Sequence, residues 1–209
     1  MPARIDAILF DLGGVLIELA GVGRMLAWCP SLGTSDELWR RWLASPAVRA
    51  FETGRTDRAE FADAIIVEFG LPVDREAFLV EFALWPRALH PDARALLDSL
   101  ARRYTLASLS NTNELHWNRF ASEWNLPDFF HHNFPSHAVG KLKPDADYFE
   151  HVLEELRVDA AHALFVDDNA INVLAARSVG MHARHVPRFE ALAPVFAEFR
   201  IGAAWEPSG

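Results

Sequence analysis

The chain has 209 residues, 51% of them hydrophobic and 23% charged, with a formal net charge of −9 at neutral pH. That is enough chain for one sizeable core plus a small extra unit. The acidic balance excludes a general nucleic-acid surface, which needs clustered positive charge, and the single cysteine, Cys29, excludes an intrachain disulfide and fits a reducing compartment.

The N-terminal MPARIDAILF lacks the layout of a signal peptide, and no run reaches the ~20 apolar residues of a membrane span. A cytoplasmic protein without membrane contact is expected. Ala7–Phe10 (AILF) is a short apolar run that stops at Asp11, with Gly13 and Gly14 close behind. This is the pattern of a central parallel strand, ending where open α/β sheets hold ligands.

Residues 21–85 carry helical periodicity throughout. Ser35 or Asp36 is expected to cap a helix holding Leu38, Trp39, Trp42 and Leu43, and a second helix runs over Pro46–Glu52. A third starts at Thr56 or Asp57 and stops at Gly70, and a fourth spans residues 74–84. Trp28, Trp39, Trp42 and Trp85 read as the core of this helical segment.

The chain then alternates. A helix over residues 91–102 precedes a strand over residues 104–109, a helix holding Leu115 and Phe120, and a weak strand near His132–Pro135. Pro144 is expected to open a helix with Phe149, Val152, Leu153 and Leu156 on one face. A strand over residues 163–166, a helix over 170–179 and a last strand over 181–186 follow, and residues 202–209 read as a loose tail. Alternation of this kind implies an α/β fold: a doubly wound, Rossmann-like parallel sheet with an α-helical segment inserted early. The expected division is residues 1–17 and 88–209 for the core and 18–87 for the helical insert.

Three strands end in polar residues. The first ends at Asp11, the second at Ser110 with Asn111 and Thr112, and the third at Asp167 and Asp168, followed by Asn169 and Asn172. Neighbouring parallel strands would bring these ends to one edge. Carboxylates sharing a site raise one another's pKa unless a cation balances them, and an incomplete shell of oxygen ligands favours magnesium. Magnesium recruits phosphate, for which Ser110, Asn111 and the amides of the following helix form a cradle. Lys141 or Lys143 can balance the remaining charge, and Asp11 can act as a nucleophile on phosphorus. Asn172 reads as a helix-surface residue, and His131, His132 and His137 as surface or loop residues.

The segments FDLGGVL, LSNTN, KPDADYF and FVDDN, in that order within residues 5–181, resemble the motifs of the haloacid dehalogenase superfamily of hydrolases. The insert resembles that family's small helical cap, and the motif set is most similar to a branch of phosphatases acting on sugar phosphates and similar small monoesters. The resemblance implies that Asp11 forms an aspartyl-phosphate and also ligates Mg2+, together with the Gly13 backbone carbonyl and Asp168. Asp167 would ligate directly or through water. Ser110, helped by Asn111, would bind the phosphoryl group. Lys143, which precedes Pro144, would neutralise Asp11 and the phosphate. The implied partner is a small phosphorylated metabolite, with no nucleic acid or membrane, and the chain is expected to be a monomer or homodimer.

One position departs from the pattern. Many of these phosphatases carry an acid two residues after the nucleophile, which protonates the leaving group; here that residue is Gly13. General acid–base catalysis contributes roughly 10²–10⁴-fold, so aryl and acyl phosphates should be preferred to alkyl ones, and Gly13→Asp should narrow that preference. The alternatives are a 2-haloacid dehalogenase and a member without turnover that binds a phosphorylated ligand or a protein. Glu18, Glu52 and Asp57 are other carboxylates near the insert that could supply the proton.

Overall fold

In the computed structural model, which describes residues 4–202, β1 (Ala7–Phe10) is buried along its whole length because strands pair with it on both sides. After it come β2 (Ile17–Leu19) and the helices α1 (Gly23–Trp28), α2 (Ser35–Ala44), α3 (Pro46–Glu52), α4 (Arg58–Phe69) and α5 (Arg75–Ala83). The chain continues through β3 (Pro86–Leu89), α6 (Ala93–Ala101), β4 (Thr105–Ser110), α7 (Glu114–Trp124), β5 (His132–Pro135) and α8 (Ser136–Val139). It closes with α9 (Ala146–Leu156), β6 (Ala163–Asp167), α10 (Ala170–Ser178), β7 (His182–His185) and α11 (Leu192–Glu198).

Five strands form one parallel sheet in the order β5-β4-β1-β6-β7. Side chains alternate between its faces with the two-residue period of a strand. Ile8 and Phe10 cluster with Leu106, Leu164 and Val166 and with apolar residues of α6, α7 and α11. Ala7 and Leu9 cluster with Leu109 and Phe165 and with residues of α9 and α10. Helices therefore cover both faces, as a doubly wound sheet requires.

A third apolar cluster belongs to the helices between β2 and β3. It is dominated by rings: Phe51 stacks on Phe61 with centroids 4.2 Å apart, and Trp42 meets Trp85 at 4.7 Å. This segment leaves and rejoins the sheet through an antiparallel ribbon of β2 and β3. Two side chains of α7 tie its far end down. The half-buried ring of His116 bonds the Phe82 carbonyl at 2.7 Å, and the Arg119 guanidinium donates to the carbonyls of Ala83 and Pro86 at 2.7 and 2.8 Å.

Several local expectations need correction. Thr34, not Ser35 or Asp36, caps α2: its hydroxyl accepts from Glu37 N while the Glu37 carboxylate accepts from Thr34 N, because Thr34 is the residue with extended backbone before the helix. Pro144 does not open α9. Asp145 is extended (φ −63°, ψ 133°), so Pro144 lies in the turn before it and the helix begins at Ala146. Trp39 is not core; it is 37% exposed, whereas Leu38 and Trp42 of the same helix are buried. The ribbon β2–β3 and helix α11 were not anticipated. The tail beyond Gly202 lies outside the described residues.

Candidate active site

The ends of β1, β4 and β6 meet at one sheet edge. Asp11, which follows β1, is 8% exposed; Ser110 closes β4 and Asp167 closes β6, both buried. Lys143 reaches them from the loop before α9 and is only 2% exposed. Its Nζ donates to Asp11 Oδ1 at 2.8 Å, to Asp167 Oδ2 at 2.7 Å and to the Leu109 carbonyl at 2.8 Å. All three ammonium protons thus have acceptors, which is the condition for burying a lysine. Lys141, from the same loop, instead pairs with Asp147 at 3.2 Å on the surface.

Two asparagines hold this arrangement. Asn111 clamps the lysine's own backbone, donating from Nδ2 to the Lys143 carbonyl at 2.8 Å and accepting from Lys143 N at 2.9 Å. Asn172 is not a helix-surface residue: it is buried, and its Nδ2 donates to both Asp167 oxygens at 3.1 Å. It stands in the first turn of α10, whose packing through Val173 and Ala176 turns that side chain toward the sheet edge. The amides expected to cradle phosphate are partly committed elsewhere. Asn113 Oδ1 takes those of Leu115 and His116, and Ser136 Oγ takes that of Thr112.

The glycines after Asp11 have distinct reasons to be glycine. Gly14 sits at φ +75°, and a Cβ there would lie 2.1 Å from Asp168 Oδ2, so only glycine lets the loop pass this carboxylate. A Cβ on Gly13 would meet Leu19 Cδ1 at 2.8 Å, so Leu19 of β2 occupies the space where an acid at this position would stand. Gly13→Asp alone therefore has to displace Leu19. Paired with Leu19→Ala, it is expected to raise the rate on alkyl phosphates relative to aryl ones more than the single change does, measured as the ratio of kcat/KM values.

The electrostatics are unbalanced. Burial pushes the Asp11 carboxyl well above its ordinary value; Lys143 opposes this, and Asp167 and Asp168 add to it. Asp168 is pushed up to about 6, by burial and then by Asp167. Burial works against charge on Lys143, but Asp11 and Asp167 outweigh that and hold the ammonium above its ordinary value. One lysine thus faces three carboxylates, whose oxygens lie within 4.8 Å of one another. A hard divalent cation with oxygen ligands fits both the donor set and the missing positive charge.

Asp11, Lys143 and Asp168 open into a cavity of about 600 Å³. Its floor holds Asp11, Gly13, Lys143 and Asp168; its walls include Leu19, Trp39, Trp42, Leu43, Val48, Leu142 and Ile171, with Arg40, Arg49 and Glu52 among them. Leu19, Trp39, Leu43 and Ile171 all leave more than a third of their surface to solvent. Large apolar side chains gathered at the mouth of a pocket mark a ligand surface more than chance exposure. Arg49 also bridges to Asp145, joining α3 to the loop before α9.

The chain matches the haloacid dehalogenase-like hydrolases over residues 5–180. It is 30% identical over 194 residues to a sesquiterpene phosphatase of Aspergillus oryzae, covering 89% of this chain and 92% of that one. A haloacid dehalogenase family enzyme of Bacteroides thetaiotaomicron, solved with magnesium and inorganic phosphate, superimposes with a TM-score of 0.71 at 26% identity, covering 87% of this chain and 93% of that one. The L-2-haloacid dehalogenase of Xanthobacter autotrophicus, with chloropropionic acid covalently bound, superimposes with a TM-score of 0.64 at 27% identity over 95% and 85%. Sheet order, site and similarity agree, and the chain belongs to the haloacid dehalogenase-like hydrolase family.

Proposed function

We propose that this protein is a magnesium-dependent phosphatase that cleaves small phosphate monoesters with an apolar body, through an aspartyl-phosphate on Asp11. The observation that carries the reading is the buried Asp11–Lys143–Asp167 cluster opening, with Asp168, into an apolar-walled cavity. Similarity to a sesquiterpene phosphatase supports the apolar substrate.

Asp11, the Gly13 carbonyl and Asp168 would hold the ion, with Asp167 beside them. When bound, it would neutralise charge on the transferring phosphoryl group. The protein's own residues account for the rest. Lys143 holds the Asp11 carboxylate in place and opposes the rise in its pKa that burial causes, and Asn111 and Asn172 hold the lysine and its second carboxylate in place. Ser110, at the end of β4, contributes its hydroxyl to the phosphoryl group. Residues 18–87 act as a cap that supplies most of the apolar wall and excludes water. The exposed Arg49–Asp145 pair is a weak latch, as expected of a unit that must open. The enzyme works in the cytoplasm as a monomer or homodimer on a small phosphorylated metabolite.

The test is a panel of phosphate monoesters assayed with magnesium and with a chelator. Phosphate release should require magnesium and rise with the length of an apolar substituent. Magnesium at about 100 times its Kd should also stabilise the metal-free protein by about 2.7 kcal/mol in thermal melts. No magnesium-dependent phosphate release across the panel would overturn the reading. The likeness to the haloacid dehalogenase gives the second reading its footing. Chelator-resistant release of halide from a 2-haloacid would favour it, although three converging carboxylates count against a metal-free site.

A further inference from the structure

Gly13 leaves the leaving group without a proton donor, and Leu19 fills the space that a donor from that position would use. Among the described residues that line the cavity, the acids are Asp11, Asp168 and Glu52. The first two belong to the charged cluster on the floor. Glu52 stands on the last turn of α3, partly buried in the cavity wall. Its carboxylate takes no hydrogen bond or ion pair among the described residues.

The backbone around Glu52 is fixed. Thr53 Oγ1 donates to the Arg49 carbonyl at 2.7 Å and accepts from Arg55 Nε at 2.9 Å. Gly54 sits at φ +68°, and a Cβ there would lie 2.4 Å from the His137 carbonyl oxygen, so this turn is pressed directly on α8 of the core. Glu52 is thereby held at the seam between the helical segment and the sheet, lining the same cavity as Asp11 and Lys143.

We propose that Glu52 carries the catalytic proton that Gly13 cannot, a role that rests on the phosphatase reading above. In the first step an Asp11 oxygen bonds to phosphorus and the ester P–O bond breaks. The electron pair leaves on the alcohol oxygen, which takes the proton of the Glu52 carboxyl. In the second step water attacks the aspartyl-phosphate and gives a proton back to Glu52. The bond between phosphorus and Asp11 breaks, and its electron pair restores the Asp11 carboxylate. The net change is one ester and one water converted to one alcohol and one phosphate.

The surroundings suit this work. Burial raises the Glu52 carboxyl to about 7, and Lys143 opposes that rise. The other charged or titratable groups around it are Asp11 and Asp168 on the floor, Arg40 of α2, Arg49 of its own helix and His137 of α8. An acid poised near neutrality is well matched to proton transfer at neutral pH.

The experiment compares a primary alkyl phosphate with a nitrophenyl phosphate, whose phenolate leaves without needing a proton. Glu52→Gln is expected to lower kcat/KM on the alkyl ester by about 10²-fold or more and on the aryl ester by far less. In the wild type the alkyl rate should fall as the pH rises past about 7, and Glu52→Gln should lack this limb. Glu52→Asp, which keeps an acid, should recover part of the alkyl rate, and thermal melts of both variants check folding. Equal losses on the two esters, or an unchanged alkyl rate, would overturn the role and leave the phosphatase reading standing. Failure of the wild type to hydrolyse either ester would overturn both.

Discussion

Asp11→Asn should abolish turnover, lowering kcat by on the order of 10⁴-fold or more, while leaving the metal-free protein at least as stable as the wild type. The amide is nearly the same shape as the carboxylate but cannot attack phosphorus. Its effect on stability follows from the charge it removes. Burial raises the Asp11 carboxyl far above its ordinary value of 3.8 despite the lysine beside it. A carboxyl whose pKa is higher in the fold than in the unfolded chain binds its proton more tightly when folded. Its ionised form therefore costs stability at every pH above the unfolded value. Removing that charge should raise the Tm in chelator at neutral pH. The difference from wild type should shrink as the pH falls and Asp11 takes up its own proton. Thermal melts across pH, with activity assays on the same preparations, test both halves. A metal-free Asp11→Asn protein less stable than wild type would mean that the contact with Lys143 outweighs the cost of burial.

Most of the parallel sheet could be read from the chain because central strands are short apolar runs and their ends are marked by a change to polar residues. AILF and ALFV are such runs, and Asp11, Ser110 and Asp167 stand at or just past the strand ends, where the expectation put them. What escaped depends on partners distant in sequence. The strand Ile17–Leu19 is three residues long, and it exists only because Pro86–Leu89 returns beside it after the whole helical segment. Helix α11 is signalled in the chain by Leu192, Val195, Phe196 and Phe199 at helical spacing. In the site, the meeting of the aspartates is expected only on the condition that their strands are neighbours, which the sheet order β4-β1-β6 fulfils, and Lys143, on a loop, is singled out by the family resemblance and its adjacent proline. The inward turn of Asn172 depended on which face of α10 packs on the sheet, and Val173 and Ala176 were the signal for it. The position of Glu52 depended on Gly54 meeting the core, a contact that no local periodicity reveals. Similarly, Gly13 can be seen in the chain as a missing acid, but only the fold shows Leu19 in its place.

Lys143→Met should destabilise the fold by about 3–5 kcal/mol, the usual consequence of removing one partner from a buried ion pair. For a chain of this size that corresponds to a fall in Tm of roughly 6–20 °C. Methionine matches the length of the lysine stem, so lost packing is a small part of the effect, although the ammonium's place over the Phe165 ring is lost with it. The large part is electrostatic. Asp11 and Asp167 would keep their burial but lose the ammonium at 2.8 and 2.7 Å, and the Leu109 carbonyl would lose its donor. The same pair thus predicts opposite effects from its two ends: removing the carboxylate of Asp11 relieves a surplus of negative charge, and removing the lysine enlarges it. Two conditions should soften the damage. Lower pH protonates the stranded Asp11 carboxylate, whose pKa burial already raises, so the gap between Lys143→Met and wild type should narrow as the pH falls. Magnesium, if it binds these oxygens, should narrow the gap at neutral pH. Lys143→Arg should rescue poorly, because a planar guanidinium cannot place three donors where the compact ammonium does. Denaturant melts of wild type, Lys143→Met and Lys143→Arg, with and without magnesium at two pH values, separate these terms. A Lys143→Met protein as stable as wild type at neutral pH would show that the carboxylates are solvated or neutral in the folded state, and that the lysine does not hold the site together.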